Sequence, residues 1–348
     1  MRSSWKVIGL ITSLALPSLV SAQTYPSAAD PRNNLKPGRL DAGVAASNMR
    51  LVSFSPKPAL FDSVRGLTFI NSDLAFGNGH YAYQGNFAGF TVWDVSNPAK
   101  PVVESAVDCI TSQGDPTIVG NLLFVSAEGA GNRNDCGKGG VQDPKDHMTG
   151  VRIFDVSNPK APKLIKNVQT CKGSHTHTLV PSPTNPKVVY LYVSGQQGAR
   201  PATELAGCKN GDDPADPTNS LYMLDIIKVP LDHPEQAAVI PGARIFTGLE
   251  GSPDCITFCA PADTRRPGGG RGGRGGRGAV AGDSANPAAR PLHTGPRNCH
   301  DVTAYPAYHL LAAACSSHAI MVDISNPEKP VRLSAITDTN NFQGRHTA

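Results

Sequence analysis

The phrase "FTVWDVSNPAKPVV", Phe90 to Val103, recurs as "VRIFDVSNPKAPKLI" from Val151 and as "AIMVDISNPEKPVRL" from Ala319. A repeated unit of this size cannot bury both of its faces alone, so each copy must pack against another. The first half of the phrase is β-branched and aromatic, as a buried strand requires. The Ser-Asn-Pro half ends that strand. Ser and Asn side chains bond to nearby backbone, and Pro fixes φ and has no N–H to donate. The phrase therefore reads as the third strand of a unit and the turn into a fourth.

The residues around the first copy predict four strands: Leu67–Phe76, His80–Gly85, Phe90–Val95 and Val102–Val107. A second unit runs from "DPTIVGNLLFVSAE" through "VRIFDVS" to "PKLIKNVQT". A third runs from "HTLVPSPTNPKVVYLYVSG" through "SLYMLDIIKVP" to "AAVIPGARIFTG". It has lost the Ser-Asn-Pro turn, and Asp225 is expected to keep the place of Asp94, Asp155 and Asp323. A fourth runs from "HDVTAYPAYHLLAAACS" through "AIMVDIS" to "VRLSAITD". Four-stranded units recurring at ~40–50 residues predict an all-β fold, a β-propeller of antiparallel blades. Insertions at Gly129–Gly150, Ala199–Asn219 and Glu250–Arg297 account for the unequal spacing.

These units resemble the LVIVD-repeat β-propeller family, whose defining strand stands here as "IMVDISNP", "FTVWDVSNP" and "VRIFDVSNP". The stretches "DLAFGNGHYAYQGNFAGFTVWDVSNP", "GSHTHTLV" and "NCHDVTAYP" are similar to its exported bacterial branch. The resemblance runs from Asp41 to Ala348, apart from the "GGGRGGRGGRG" insertion, and it implies a fold and little chemistry. "NMRLVSFSP", Asn48–Pro56, reads as a lone outer strand, and "GRHTA", Gly344–Ala348, as the start of an inner one. Four complete blades with an orphan strand at each end read as a fragment of a six- or seven-bladed propeller.

That propeller is placed at 48–348, after a linker at 23–47 and a leader at 1–22. The leader has a basic start at Arg2 and Lys6, an apolar run from Val7 to Leu19, and small residues ending at Ala22. This is the three-part pattern of a secretory signal peptide. Its apolar run is shorter than the roughly 20 residues of a spanning helix, and no other segment could cross a bilayer. The expected destination is the periplasm, the cell surface or the medium. Eight cysteines in an oxidising compartment then read as disulfides. In a blade, the connection entering its first strand and the connection between its second and third strands lie on one face. That topology pairs Cys109–Cys136, Cys171–Cys208 and Cys299–Cys315, leaving Cys255–Cys259.

The formal net charge of +4 comes wholly from Pro261–Arg290, which holds six arginines and two aspartates. No basic face remains to argue for nucleic acid. The Gly/Arg tract reads as a disordered insertion at 261–296. "NGDDPADPTNS" lacks the pattern of a calcium loop and reads as a solvated turn region.

Aligning "HTLVPSP", "HDVTAYP" and "HTA" puts His177, His300 and His346 at one position near the start of the innermost strand. Asp115 takes that position in the second unit and Asp73 in the first. Imidazoles and a carboxylate converging on the channel mouth suit Zn²⁺, Cu²⁺ or Fe²⁺. His175 and Asp301 are near enough to add ligands or to orient them. The competing reading is a polar ring that bonds to channel water and to neighbouring blades. His80, His233, His293, His309 and His318 share no position, and most of them are expected to be exposed.

Two functions follow. One is a binding or scaffold protein, acting through a loop-rich, disulfide-braced face on a protein or a cell-surface glycan. The other is a metal-dependent oxidase or hydrolase at the histidine ring. Fold alone cannot choose between them. No nucleophile elbow or phosphate-binding loop is present, and the long insertions lie on one side. Both observations favour the binding protein.

Overall fold

The computed structural model describes residues 29–38, 41–211, 213, 215–249, 296, 298–315 and 318–337. The leader at 1–22, most of the Gly/Arg-rich insertion, and residues 338–348 lie outside the described residues. The chain divides into two units, Met1–Pro56 and Lys57–Ala348. In the first, Asn48–Pro56 forms no strand, contrary to expectation. A strand needs an edge to pair with. Here Met49, Leu51, Val52 and Phe54 are all exposed, so no neighbouring edge covers the segment.

The second unit contains four four-stranded sheets. The first blade is β1 (Asn71–Gly77), β2 (Tyr81–Asn86), β3 (Gly89–Asp94) and β4 (Val102–Asp108). The second is β5 (Pro116–Val119), β6 (Leu122–Ala127), β7 (Gly150–Asp155) and β8 (Lys163–Gln169). The third is β9 (Thr176–Pro181), β10 (Val188–Ser194), β11 (Leu224–Pro230) and β12 (Ala238–Ala243). The fourth is β13 (Asp301–Tyr305), β14 (Leu310–Cys315), β15 (His318–Asp323) and β16 (Val331–Thr337). Strands neighbour one another in chain order and pair antiparallel throughout. The inner strands meet from blade to blade, β1 with β5, β5 with β9 and β9 with β13. β1 starts later than expected, because Gly66 at φ +58° opens a short 3-10 turn over Gly66–Thr68.

Strand alternation divides each blade between two cores. Leu123, Val125 and Phe154 of the second blade join Tyr83, Phe90 and Val92 of the first. Its other face, with Phe124, Val151 and Ile153, joins Leu191, Val193 and Ile227 of the third. The third and fourth blades meet through Tyr192, Leu224 and Ile226 against Leu311, Ile320 and Val322. Each large apolar side chain sealed in such a seam contributes about 2 kcal/mol.

The repeated phrase has a second role beyond ending a strand. Asp94, Asp155 and Asp323 each accept the N–H two residues on, at Ser96, Ser157 and Ser325, over 2.7–2.8 Å. This shapes the turn so that its proline carbonyl is offered to the preceding blade. Ser105 Oγ donates to Pro159 O at 2.6 Å, and Tyr192 Oη donates to Pro327 O at 2.8 Å.

Asp225 does not keep that place. Asp94, Asp155 and Asp323 end their strands opposite Tyr81, Leu122 and Leu310. Asp225 lies near the start of β11, opposite Val193, and β11 runs on to Pro230. The likeness of "LDI" to "VDI" is local, whereas the position is set by pairing along the whole strand.

Gly89 and Gly150 open the third strand of the first two blades at φ +155° and +139°. A Cβ there would lie 1.9 Å from Val107 O and 2.1 Å from Val168 O. Gly150→Ala is expected to destabilise the protein by about 2 kcal/mol or more, measured by urea denaturation. A cost near zero would show that β7 does not run this close to β8.

Candidate functional site

The disulfides have related topologies. Among the described residues, Cys109–Cys136 and Cys171–Cys208 each join the connector entering a blade to that blade's link between second and third strands, and Cys299–Cys315 joins the connector entering the fourth blade to the end of its second strand. All three therefore lie on the face that carries the insertions. Cys255 and Cys259 lie outside the described residues. The two long insertions also hold each other. His147 Nδ1 lies 2.5 Å from Glu204 Oε1, and its Nε2 lies 2.9 Å from Gly129 O. Arg200 donates to Glu204 Oε1 at 2.6 Å and to the His147 carbonyl at 3.1 Å.

At the centre of this face the inner strands begin, and pairing shifts the expected alignment by two residues. His175 N donates to Ser194 O and His300 N donates to Ala314 O, each at 2.8 Å. Thr176 pairs with Ser194 as Asp301 pairs with Ala314. Asp115, whose carbonyl accepts from Ser126 N, takes the place of Thr176 and Asp301 in the second blade, one residue past the expected His300 position. His175, not His177, is thus the equivalent of His300. A slip of two keeps a side chain on the same side of a strand, so the alternation in "HTHTLV" could not expose the error.

The structure brings His175 and His300 together. Their Nε2 atoms are 3.0 Å apart, and the rings meet edge to face with centroids 4.5 Å apart. His175 Nδ1 lies 2.5 Å from Glu128 Oε2. A carboxylate only accepts, so Nδ1 carries a proton, and in the neutral imidazole this leaves the lone pair on Nε2, which faces His300. Glu128 is itself held, with Oε1 accepting from Gln197 Nε2 at 2.8 Å. The second, third and fourth blades therefore meet in one chain, Glu128–His175–His300. Glu128 carries no sequence signal, being the residue after β6 where the insertion departs.

His177 lies elsewhere. Its ring is buried between the second and third blades, 2.7 Å from Thr117 Oγ1 and 2.8 Å from Ser126 Oγ. Both nitrogens are occupied by hydroxyls, which removes it from the expected ligand set. Burial pushes its pKa down to about 4. His346 and His293 lie outside the described residues. His80, His233 and His309 are exposed, as expected of most of this group, whereas His318 is buried at the start of β15, opposite Cys315.

Asp115 is buried, and its carboxyl is raised to about 7. Burial is the main cause, Asp73 and Asp301 add like-charge repulsion, and His175 opposes them. Asp73, Asp115, Asp301 and His175 thus share one electrostatic neighbourhood. Thr176 Oγ1 connects it to the strands, 2.6 Å from Ser194 Oγ and 3.2 Å from Asp301 Oδ1. Among the described residues, no three His, Cys, Asp or Glu side chains group closely enough to hold a metal by themselves.

Residues 77–109 and 146–170 match the model of the LVIVD repeat. Its first two blades thus carry LVIVD repeats, and its fold is a β-propeller. No curated protein matches it in sequence. Solved structures similar to this propeller include the periplasmic gluconolactonase of Pseudomonas aeruginosa, at 10% identity and a TM-score of 0.42, over 79% of this chain and 59% of that one. Another is a hypothetical selenium-binding protein from Sulfolobus tokodaii, at 12% identity and a TM-score of 0.42, over 77% of this chain and 50% of that one. The propeller spans less than two thirds of either.

Two buried groups set opposite pH dependences. Native Asp115 keeps its proton up to about pH 7, whereas the unfolded chain loses it near 3.8, so stability falls as pH rises between those values. Native His177 stays neutral down to about pH 4, whereas the unfolded chain takes up a proton near 6.5, so stability falls as pH drops between those values. The two windows overlap and oppose each other, so urea denaturation between about pH 4 and 6.5 is expected to show the stability of Asp115→Asn rising more steeply with pH than that of the parent protein. An equal pH dependence in the two proteins would remove Asp115 as a contributor.

Proposed function

We propose that this propeller is an exported binding or scaffold protein that engages a protein or cell-surface glycan through its loop-rich, disulfide-braced face. The observation that carries this reading is the convergence of the described braces on one end. Two disulfides and the His147–Glu204–Arg200 contacts hold the two described insertions there, and a third disulfide, Cys299–Cys315, lies at the same end. Braced loops lose less entropy on binding, which is where rigidity repays its cost. Export is supported by the leader pattern ending at Ala22 and by the three disulfides, which persist in oxidising compartments. Among the described residues no helix is long and apolar enough to cross a membrane.

The test is site-directed photo-crosslinking in the native compartment. A photoreactive residue at Lys138, on the insertion face, is expected to capture a partner. One at Asn97, in a Ser-Asn-Pro turn at the other end, is expected to capture none. Equal capture at both positions, or capture at Asn97 alone, would overturn the reading.

A second reading, a metal-dependent enzyme, is favoured by the Glu128–His175–His300 chain. A carboxylate that orients a histidine through Nδ1 leaves Nε2 as a ligand, the usual support of a metal-bound imidazole. His175 and His300 would supply two nitrogens to Zn²⁺, Cu²⁺ or Fe²⁺, and the ion would act as a Lewis acid for the bound substrate. Elemental analysis of untagged protein decides it. Metal that is lost in folded His175→Ala/His300→Ala but kept in His177→Gln supports this reading. Metal-free protein never exposed to chelator counts against it.

A further inference from the structure

A second site lies beneath the insertion of the third blade, and comparison with the second blade reveals it. Arg152 pairs with Val125 in the second blade as Asp225 pairs with Val193 in the third. Arg152 is wholly buried and fills the space under its own insertion. Its guanidinium donates to Asn167 Oδ1 at 3.0 Å, to Ile110 O at 3.3 Å and to Arg133 O at 2.8 Å. Ile110 follows Cys109, and Arg133 stands three residues before Cys136. The matching residues of the third blade are Lys172 and Leu205.

Asp225 is too short to fill the same space. A cavity of about 480 Å³ remains beside Cys171, within the usual size of small-molecule sites. Leu205, Met223, Val239 and Ile240 give it apolar walls, and Thr170, Ser220 and Arg244 add polar groups. Asp225 lines it, is 3% exposed, and has an oxygen, Oδ2, that accepts no hydrogen bond. A buried carboxylate oxygen without a donor is costly, and a ligand donor would relieve that cost. Lys172 lies within electrostatic reach of Asp225, with its ammonium fixed on Met223 O at 2.6 Å. The carboxylate therefore already has a countercharge. A cationic ligand would meet Lys172 and Arg244, so a neutral O–H donor fits better.

We propose that this cavity binds a small neutral polyhydroxylated molecule, a polyol or monosaccharide, with Asp225 Oδ2 accepting one hydroxyl and the aliphatic wall packing on its C–H face. The site does not depend on the function proposed above. The experiment is saturation-transfer NMR with myo-inositol, D-glucose and D-glucosamine, followed by titration. At least one neutral probe is expected to bind, and more tightly than glucosamine. Asp225→Leu is expected to weaken it by about tenfold or more, the effect of losing a hydrogen bond to a charged acceptor. Ala206→Trp, at the exposed rim, is expected to block binding without touching the core, and it serves if Asp225→Leu does not fold. Binding unchanged in a folded variant, preference for glucosamine, or no binding by either neutral probe would overturn the proposal.

Discussion

Every blade of this protein is a thin sheet with two apolar faces, and neither face can be kept from water without a neighbour. That constraint governs the rest of the molecule. Phe124 and Phe154 stand in the second and third strands of the same blade and point into different seams. The sheet is therefore stabilised by what lies beside it more than by its own ladder. The Ser-Asn-Pro turn serves the same end, because the carbonyl it presents is taken up by a side chain of the preceding blade. A sequence that must keep a strand, its terminator and a docking carbonyl together has reason to repeat all three as one phrase.

Such features were legible because they are local. A period of two, a turn that only a few residues can make, and connections confined to one face can all be read along the chain. They gave the blades, the insertions and the topology that pairs the six described cysteines. What escaped the sequence depends on partners far away. His175 and His177 lie on the same side of one strand, and only the bond from His175 N to Ser194 O distinguishes them. Asp225 has neighbours like those of Asp323, but its position follows from pairing with Val193. Glu128, His147 and Glu204 acquire partners only when two insertions fold over the same end, and no spacing encodes that.

The two histidines of "HTHT" show how a shift of two residues separates structural from chemical roles. His177 is sealed between hydroxyls, where burial keeps it neutral and it serves the seam. His175 stands one step nearer the channel mouth, with a carboxylate behind it and a second imidazole before it. Burial raises the carboxyl of Asp115 and lowers the imidazole of His177, so it disfavours charge in both. The polar chemistry of the mouth is accordingly concentrated in the line from Glu128 to His300.

The covalent links are distributed unevenly along the axis. Among the described residues, the three disulfides lie at the insertion end, while the other end is held by hydrogen bonds to turn carbonyls. Each bridge closes the connector entering a blade onto a later part of the same blade, so it shortens the free length of chain around the histidines. The turns at the far end have no covalent tie among the described residues and depend on single hydrogen bonds. The two margins of one sheet are therefore held by bonds of very different strength, and the histidines stand at the stronger margin.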